Sequence, residues 1–389
     1  MQSQMRDWLS VWLLALTAFV FVSTEFIPVG LLAALGDSFQ MSAVDIGPML
    51  TVYAAVVALS SLPAVLLFAK FERKSLLLGL MAIFVLSHVV CVWAPNYYTL
   101  LAGRVGVALC HALYWAIAPA LVVRLAPEGQ GAKALSIFAT GCVLALVLGI
   151  PLGRVLGQII GWRSIFALVG GLTLVVMALL WRGLPQLPAQ HGGSWRSLPA
   201  LARNHALLWL YAVTVMAVSA HYMVYTYLEP LLQEHFGYNP NITTLMLLLF
   251  GGSGLIGSWI FGRYQAGHPR RLLTLSIVVL AAAMALLPVA AMDLWLLLLL
   301  CVVWGTGMMM LCLSLQSKSL KLAPDATDVA MAIYSGLFNV GIGGGALLGS
   351  IMASRYGIVY NGAWATLLLL LALILLWFLF QARRNNELS

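Results

Sequence analysis

Sixteen of the twenty basic residues in this 389-residue chain fall in tail, loop or helix-end stretches that punctuate an otherwise apolar sequence. They are Arg6; Lys70, Arg73, Lys74; Arg124, Lys133; Arg182, Arg196, Arg203; Arg263, Arg270, Arg271; Lys318, Lys321; Arg383 and Arg384. Arg104, Arg154, Arg163 and Arg355 are left for the other side or the interior. Short loops rich in Lys and Arg stay cytoplasmic, so both termini and every second connection are assigned to the cytoplasm and the span count must be even. Hydropathy and loop signals place spans near 8–32, 43–68, 75–94, 98–123, 132–156, 162–182, 206–233, 241–263, 272–290, 293–317, 328–353 and 358–381. The expected class is an all-α membrane protein with twelve transmembrane helices.

Composition agrees. A chain 62% hydrophobic and 8% charged cannot make a soluble surface, which needs about a quarter charged residues, so it must face the lipid bilayer. Each span needs about 20 apolar residues, which leaves tight loops and no soluble domain. The first apolar run continues into Thr24-Glu25-Phe26 without a small-residue cleavage site, so it is expected to be a retained span. The net charge of +8 is absorbed by the positive-inside bias, and no nucleic-acid partner is expected. Cys91, Cys110, Cys142, Cys301 and Cys312 lie in apolar segments without metal-ligand spacing. No metal, cofactor or catalytic residue is expected.

The longest polar stretch, with Pro185, Pro188, His191-Gly192-Gly193 and Pro199, separates an N-terminal six-helix bundle (1–182) from a C-terminal one (206–389), with 183–205 as a cytoplasmic linker. Leu125-Ala126-Pro127-Glu128 before span five is echoed by Leu322-Ala323-Pro324-Asp325 before span eleven, 197 residues later. Six spans per half give both halves the same orientation. Such parallel repeats place a substrate site near the bilayer midplane, at the interface of the halves.

Ionisable groups inside a bilayer are costly and mark function. Glu25 and Arg104 fall at similar depth, each about seven residues from the outer end of its span at ~1.5 Å per residue, so a pair between spans one and four is expected, with a part in proton coupling. His111 follows Arg104 by seven residues, on nearly the same helical face, and its unperturbed pKa near 6.5 suits proton work. Trp115, one turn on, offers an aromatic face to the apolar side of a ligand. Span seven carries His221, Tyr225 and Glu229 at i, i+4 and i+8, with Tyr222 beside them. Asn339 of span eleven and Tyr53 of span two lie near the midplane and can hydrogen-bond hydroxyls. The expected substrate residues are therefore His111, Trp115, Tyr53, Tyr225, Asn339 and His221, and the expected coupling residues Glu25, Arg104, His111 and Glu229. His88 of span three is assigned a structural role.

Glycines concentrate in spans five, eight and eleven, where small faces let helices approach closely. Gly343-Gly344-Gly345 is no phosphate loop, since no strand precedes it and no Lys-Ser/Thr follows. Gly149-Ile150-Pro151-Leu152-Gly153, followed by Gly161-Trp162-Arg163-Ser164-Ile165-Phe166, resembles the antiporter motif and its sequel in proton-coupled drug and sugar efflux members of the major facilitator superfamily. Thr24-Glu25-Phe26-Ile27-Pro28-Val29-Gly30-Leu31-Leu32, Arg104, His111-Ala112-Leu113-Tyr114-Trp115 and Ala323-Pro324-Asp325-Ala326-Thr327-Asp328-Val329-Ala330-Met331-Ala332 are similar to the same branch. The resemblance covers essentially the whole chain. It implies a major facilitator fold of two pseudo-symmetric six-helix bundles, an antiporter motif at Gly149, Pro151 and Gly153, and a monomer in a bacterial inner membrane. The implied activity is proton-coupled export of small sugars, arabinose-like sugars and thiogalactosides, from the cytoplasm. Two places depart from the family's pattern. The loop Phe68-Ala69-Lys70-Phe71-Glu72-Arg73-Lys74 lacks its Asp and has Glu72 where a Gly belongs, and Val107-Ala108 stands where Gln-Gly is common.

An integral-membrane enzyme would cluster acids, histidines or a metal motif near one surface, and the sequence has no such cluster. A sensor would carry an extramembrane module. Within transport, a multidrug/proton antiporter is the alternative, with an apolar, aromatic site in place of convergent hydroxyl partners.

Overall fold

The protein is described by a computed structural model for residues 2–41, 46, 48–149, 156–157, 159–189 and 193–386. In hydrocarbon every backbone N–H and C=O must pair within its own segment, and the described residues form helices without a strand. The principal helices of the first half are α1 (Gln2–Phe39), α2 (Pro48–Leu67), α3 (Arg73–Val92), α4 (Tyr97–Leu125), α5 (Gly131–Leu144, continued by a π-turn Ala145–Gly149) and α6 (Trp162–Gly183). Those of the second are α7 (His205–Tyr225), α8 (Pro240–Tyr264), α9 (Pro269–Ala290), α10 (Leu294–Leu322), α11 (Thr327–Tyr356) and α12 (Asn361–Asn386). Among the described residues, ten helices are long and apolar enough to cross a membrane, and two shorter apolar segments, Thr51–Leu67 and Gly131–Leu144, fill the second and fifth places.

Polar side chains set the starts. Asn96 accepts from the Thr99 N–H at 2.9 Å, Asn204 from the Leu207 N–H at 3.0 Å, and Asp293 from the Leu296 N–H at 2.9 Å, each satisfying a donor that the first turn leaves free. Gly161 and Gly357, at φ of 80° and 98°, make the left-handed turns that lead into α6 and α12.

One span ends early. Span seven was expected to run to about residue 233, but α7 stops at Tyr225, and after a turn the chain resumes as Leu228–Pro230 and a π-turn Leu231–His235. Pro230 is the cause: its ring clashes with the carbonyl four residues back, at Thr226, and it has no N–H to give it.

Two compact units emerge from the contacts, Met1–Trp195 with Asp325–Gly336, and Arg196–Pro324 with Leu337–Ser389. Within the first, α1 packs on α5 and α6, α2 on α4, and α3 on α4 and α6. Within the second, α7 packs on α12, α8 on α10, and α9 on α10 and α12. Gly345 of α11 lies so close to the Ser219 carbonyl of α7 that no Cβ would fit, as Gly141 of α5 does against Ala15 of α1. These helix pairs of the first half thus recur six helices later, which is the internal repeat expressed in packing. Other glycines of the second half do the same work: Gly257 of α8 meets the Thr306 carbonyl, Gly305 of α10 the Phe250 carbonyl, and Gly349 of α11 the Met223 carbonyl. Pro151 and Gly153 of the antiporter motif lie outside the described residues, and Gly149 closes the π-turn of α5.

The connection between α2 and α3 is tied down within the first unit. Glu72 accepts from the N–H groups of Lys74 and Ser75, the Ser75 hydroxyl and, across the chain, the Leu187 N–H. Burial pushes its carboxyl upward, but the Leu187, Ser75 and Lys74 donors outweigh it and hold the group below its ordinary value. Arg73 donates to the Phe71 carbonyl at 2.9 Å and pairs with Asp328 at 2.6 Å, both side chains buried. Lys74 and Arg124 donate to the carbonyls of Leu184 and Pro188. The Glu72 that departs from the family's pattern is therefore a helix cap that also grips the chain after α6.

Candidate functional site

In the first unit the site begins with a break in α1. Pro28 has no N–H, so the carbonyl four residues earlier, that of Thr24, lacks its helical donor. Arg104 of α4 fills the gap: its Nη1 donates to the Thr24 carbonyl at 2.8 Å and its Nη2 reaches the Glu25 carbonyl at 3.4 Å. The guanidinium, 1% exposed, also lies over the Tyr53 ring of α2, with Cζ 4.5 Å from the centroid. Glu25 and Arg104 do meet, as their depth indicates, but the arginine holds peptide carbonyls rather than the carboxylate. The carboxylate lies instead 3.6 Å from His111 Nε2, and the Glu25 side chain is 32% exposed against 5% for the histidine.

Around this ion cluster the aromatic residues pack. Tyr53 meets the His111 ring edge-on at 5.6 Å, Trp115 lies 5.8 Å from it, and Phe21 of α1 at 6.1 Å closes the third side while stacking on Tyr114. Trp115 is half-buried and Tyr53 buried. Four polar atoms here, Ser23 Oγ, Tyr53 Oη, Arg104 Nε and His111 Nδ1, are buried without a hydrogen-bond partner among the described residues. An orphaned polar atom costs about 1–3 kcal/mol, so the gathering of three of them on the mutually contacting Tyr53, Arg104 and His111 side chains marks a place built to meet polar groups.

His88 lies behind α1. Its Nδ1 is 2.8 Å from the Phe84 carbonyl and its Nε2 3.1 Å from Thr24 Oγ1.

The second unit holds an aromatic cluster on α7. His221, 2% exposed, accepts at Nδ1 from the Trp304 indole N–H of α10 at 3.0 Å. Indole nitrogen only donates, so the ring proton is on Nε2. The imidazole stacks on Tyr225 at 5.2 Å and on Phe250 of α8 at 5.6 Å, and Tyr222 meets it edge-on at 4.8 Å. Tyr225 and Phe250 are half-buried and Trp304 is fully buried. Asn339 is half-buried on α11. Glu229 does not join this stripe: beyond the end of α7 it is exposed and accepts from Gln233 Nε2 at 3.1 Å.

Sequence reasoning brought together Glu25, Arg104, His111, Trp115 and Tyr53 in one unit and His221 with Tyr225 in the other. It missed Phe250 and Trp304, which come from helices distant in the chain and carry no local polar signal. It also missed the Thr24 carbonyl, although a proline four residues on was a visible cue.

Residues 14–327 match the sequence family described as the Major Facilitator Superfamily. Three curated relatives, each named "Probable sugar efflux transporter", come from Helicobacter pylori strains 26695, P12 and J99. The first two are 44% identical and the third 43%, over 369 residues that make up 95% of this chain and 94% of each relative. Among solved structures, the human organic anion transporter MFSD10 (TETRAN) superposes with a TM-score of 0.78 at 16% identity, over 95% of this chain and 99% of that one. The transporter FucP in its outward conformation gives 0.73 at 19%, over 95% and 98%. At such identities these two likenesses concern the fold.

Proposed function

The chain belongs to the Major Facilitator Superfamily, and on that premise we propose that it exports small sugars from the bacterial cytoplasm, driven by protons, by alternating access. It is a multi-pass membrane transporter and not an enzyme. The observation that carries the coupled reading is the Glu25 carboxylate 3.6 Å from His111 Nε2, beside an Arg104 held by peptide carbonyls. A partly exposed carboxylate next to a buried histidine can take up and give back a proton, and the cation beside it does not depend on that proton.

The relatives named as probable sugar efflux transporters support the solute class. In the first unit, Tyr53 Oη and His111 Nδ1 are buried polar atoms without a hydrogen-bond partner among the described residues and can meet hydroxyls, and Trp115 supplies an apolar face for a pyranose ring. In the second, the Nε2–H of His221 donates, with Tyr225 stacked beside it and Asn339 on α11 able to donate and accept. Arabinose-like sugars and thiogalactosides are the solutes of choice. Glu229, exposed and engaged with Gln233, is left out of the coupling set. Both termini and the 183–205 linker are assigned to the cytoplasmic side of the inner membrane, the 1–182 and 206–389 bundles to the two halves, and the working unit to a monomer.

One observation favours a second reading. The half-buried Tyr222, Tyr225 and Phe250 around His221 form a surface that would also suit flat lipophilic drugs. Counterflow in proteoliposomes with arabinose, a thiogalactoside and a lipophilic cation separates the two. Saturable exchange of either sugar, with no response to the cation, is the expected result, whereas exchange of the cation alone makes the protein a drug antiporter. Cysteines placed at Asp37 and Asn96 should label from outside, and those at Ser194 and Ala326 only from inside; the reverse pattern overturns the topology.

A further inference from the structure

His88 is not part of the coupling set, yet its two nitrogens are both committed. The Phe84 carbonyl can only accept, so Nδ1 carries the ring proton and Nε2 is an acceptor. The 3.1 Å contact is therefore a hydrogen bond from the Thr24 hydroxyl to His88. A helical threonine ordinarily returns its hydroxyl to its own helix, as Thr17 does to the Leu13 carbonyl. Thr24 reaches out instead. The same residue gives its carbonyl, released by Pro28, to Arg104. One residue of α1 is thus clamped from two sides, by α3 through its hydroxyl and by α4 through its carbonyl, and the next residue is Glu25. The seat of His88 is shaped for this: Gly170 of α6 leaves room, a Cβ there standing 3.2 Å from the His88 Cβ, and the Phe84 and Phe166 rings lie 4.5 and 6.1 Å away.

We propose that His88 is a positioning residue for proton coupling, acting through Thr24 to fix the turn of α1 that carries Glu25 against Arg104 and His111. This rests on the reading of Glu25 as the coupling carboxylate. Among the described residues, the charged and titratable groups facing Glu25 are Arg104 and His111 of α4 and Tyr53 of α2, and His88 of α3 acts on it only through Thr24. Among the described residues, α5 and α6 present Lys133 to Trp8 and Arg163 to Ser38, toward the two ends of α1. Loosening the clamp changes the distance of the carboxylate from a cation and a histidine, and such distances set the pH at which a carboxylate exchanges its proton.

The test compares sugar counterflow at fixed pH with the pH profile of gradient-driven export, in purified protein reconstituted into vesicles. His88→Phe keeps an aromatic ring in the seat and removes the acceptor, and Thr24→Val removes the donor at nearly constant shape. Both should move the midpoint of the pH profile by about half a unit or more, with His88→Phe counterflow within about twofold of the parent. Thr24→Ser and His88→Gln, which keep a donor and an acceptor, should retain the parental midpoint. Parental profiles in both His88→Phe and Thr24→Val, alongside a Glu25→Gln that has lost driven export, overturn the positioning role and leave the coupling reading standing. A Glu25→Gln with undiminished driven export overturns both. If one breaking variant does not fold, the other decides, since they remove the same bond.

Discussion

His111 and His221 are both buried in membrane-spanning helices, at 4% and 2% exposure, yet their neighbours make them different instruments. Beside His111 is a carboxylate, and its Nδ1 has no hydrogen-bond partner among the described residues. Beside His221 is an indole N–H, which fixes the proton on Nε2 and surrounds the ring with Tyr222, Tyr225, Phe250 and Trp304. A histidine facing an acid can exchange a proton with it. One facing an indole is a permanent donor at its far nitrogen, because protonating Nδ1 would set two donors against each other. The lesson is that a buried histidine in a transporter takes its role from the second nitrogen's partner, not from its depth.

The comparison breaks most sharply at Glu25. Glu25→Gln keeps the shape and removes the titratable group, so pH-gradient-driven accumulation should fall roughly 5- to 150-fold, the span of a coupling free energy of about 1–3 kcal/mol, while counterflow persists. Unchanged driven accumulation would reduce Glu25 to a structural part and shift the coupling role to His111.

Next come the two histidines themselves. Each hydrogen bond to a sugar hydroxyl is worth about 1 kcal/mol net, so His111→Ala and His221→Ala should each weaken sugar binding about fivefold, as should Asn339→Ala. The difference lies in pH: isothermal titration across neutral pH should show the parental pH dependence kept in His221→Ala and lost in His111→Ala. The same loss in both would erase the distinction between the units. Trp304→Phe sharpens it further. It retains an aromatic ring and frees the His221 tautomer, so affinity should drop only about two- to threefold, less than a full hydrogen bond's worth. A parental affinity would mean that the indole N–H does not orient the histidine.

Glu72 supplies the smallest effect and a control, being a carboxylate held by N–H donors away from the site. Its folded pKa is depressed, so its contribution to stability is full at neutral pH, and it is lost as pH falls through the folded value. The melting temperature of Glu72→Gln in detergent should lie slightly below the parent at neutral pH and converge with it in acid, with the pH profile of transport unmoved. A shifted transport profile would tie this end of the unit to coupling.

Much of this was legible in the chain. The positive-inside bias and hydropathy gave the helix order, and depth counting brought Glu25, Arg104, His111 and Tyr53 together. Depth does not say which atom of a residue is met, so the expected side-chain pair of Glu25 and Arg104 turned out to be a guanidinium on two carbonyls. Glu229 fell off its stripe because an i, i+4, i+8 count assumes a helix that Pro230 does not permit. Phe250 and Trp304 were invisible for a different cause: an apolar ring in an apolar span has no contrast with its surroundings, and only tertiary packing selects it. Nor could the sequence show that Asp328 would neutralise Arg73, since the two are joined by contacts between distant helices.

The proline-released carbonyl that holds Arg104 has an electrical consequence. Because the arginine is ligated by peptide groups, its charge persists whether or not Glu25 is protonated, so the pair is neutral when the carboxylate is empty and carries one positive charge when it is loaded. With an uncharged sugar, any step that carries the loaded or the empty pair across the membrane field then senses voltage differently, by about 2.3 kcal/mol per charge for each 100 mV fully traversed. Export should be electrogenic, and a clamped membrane potential should drive it even with the pH equal on both sides.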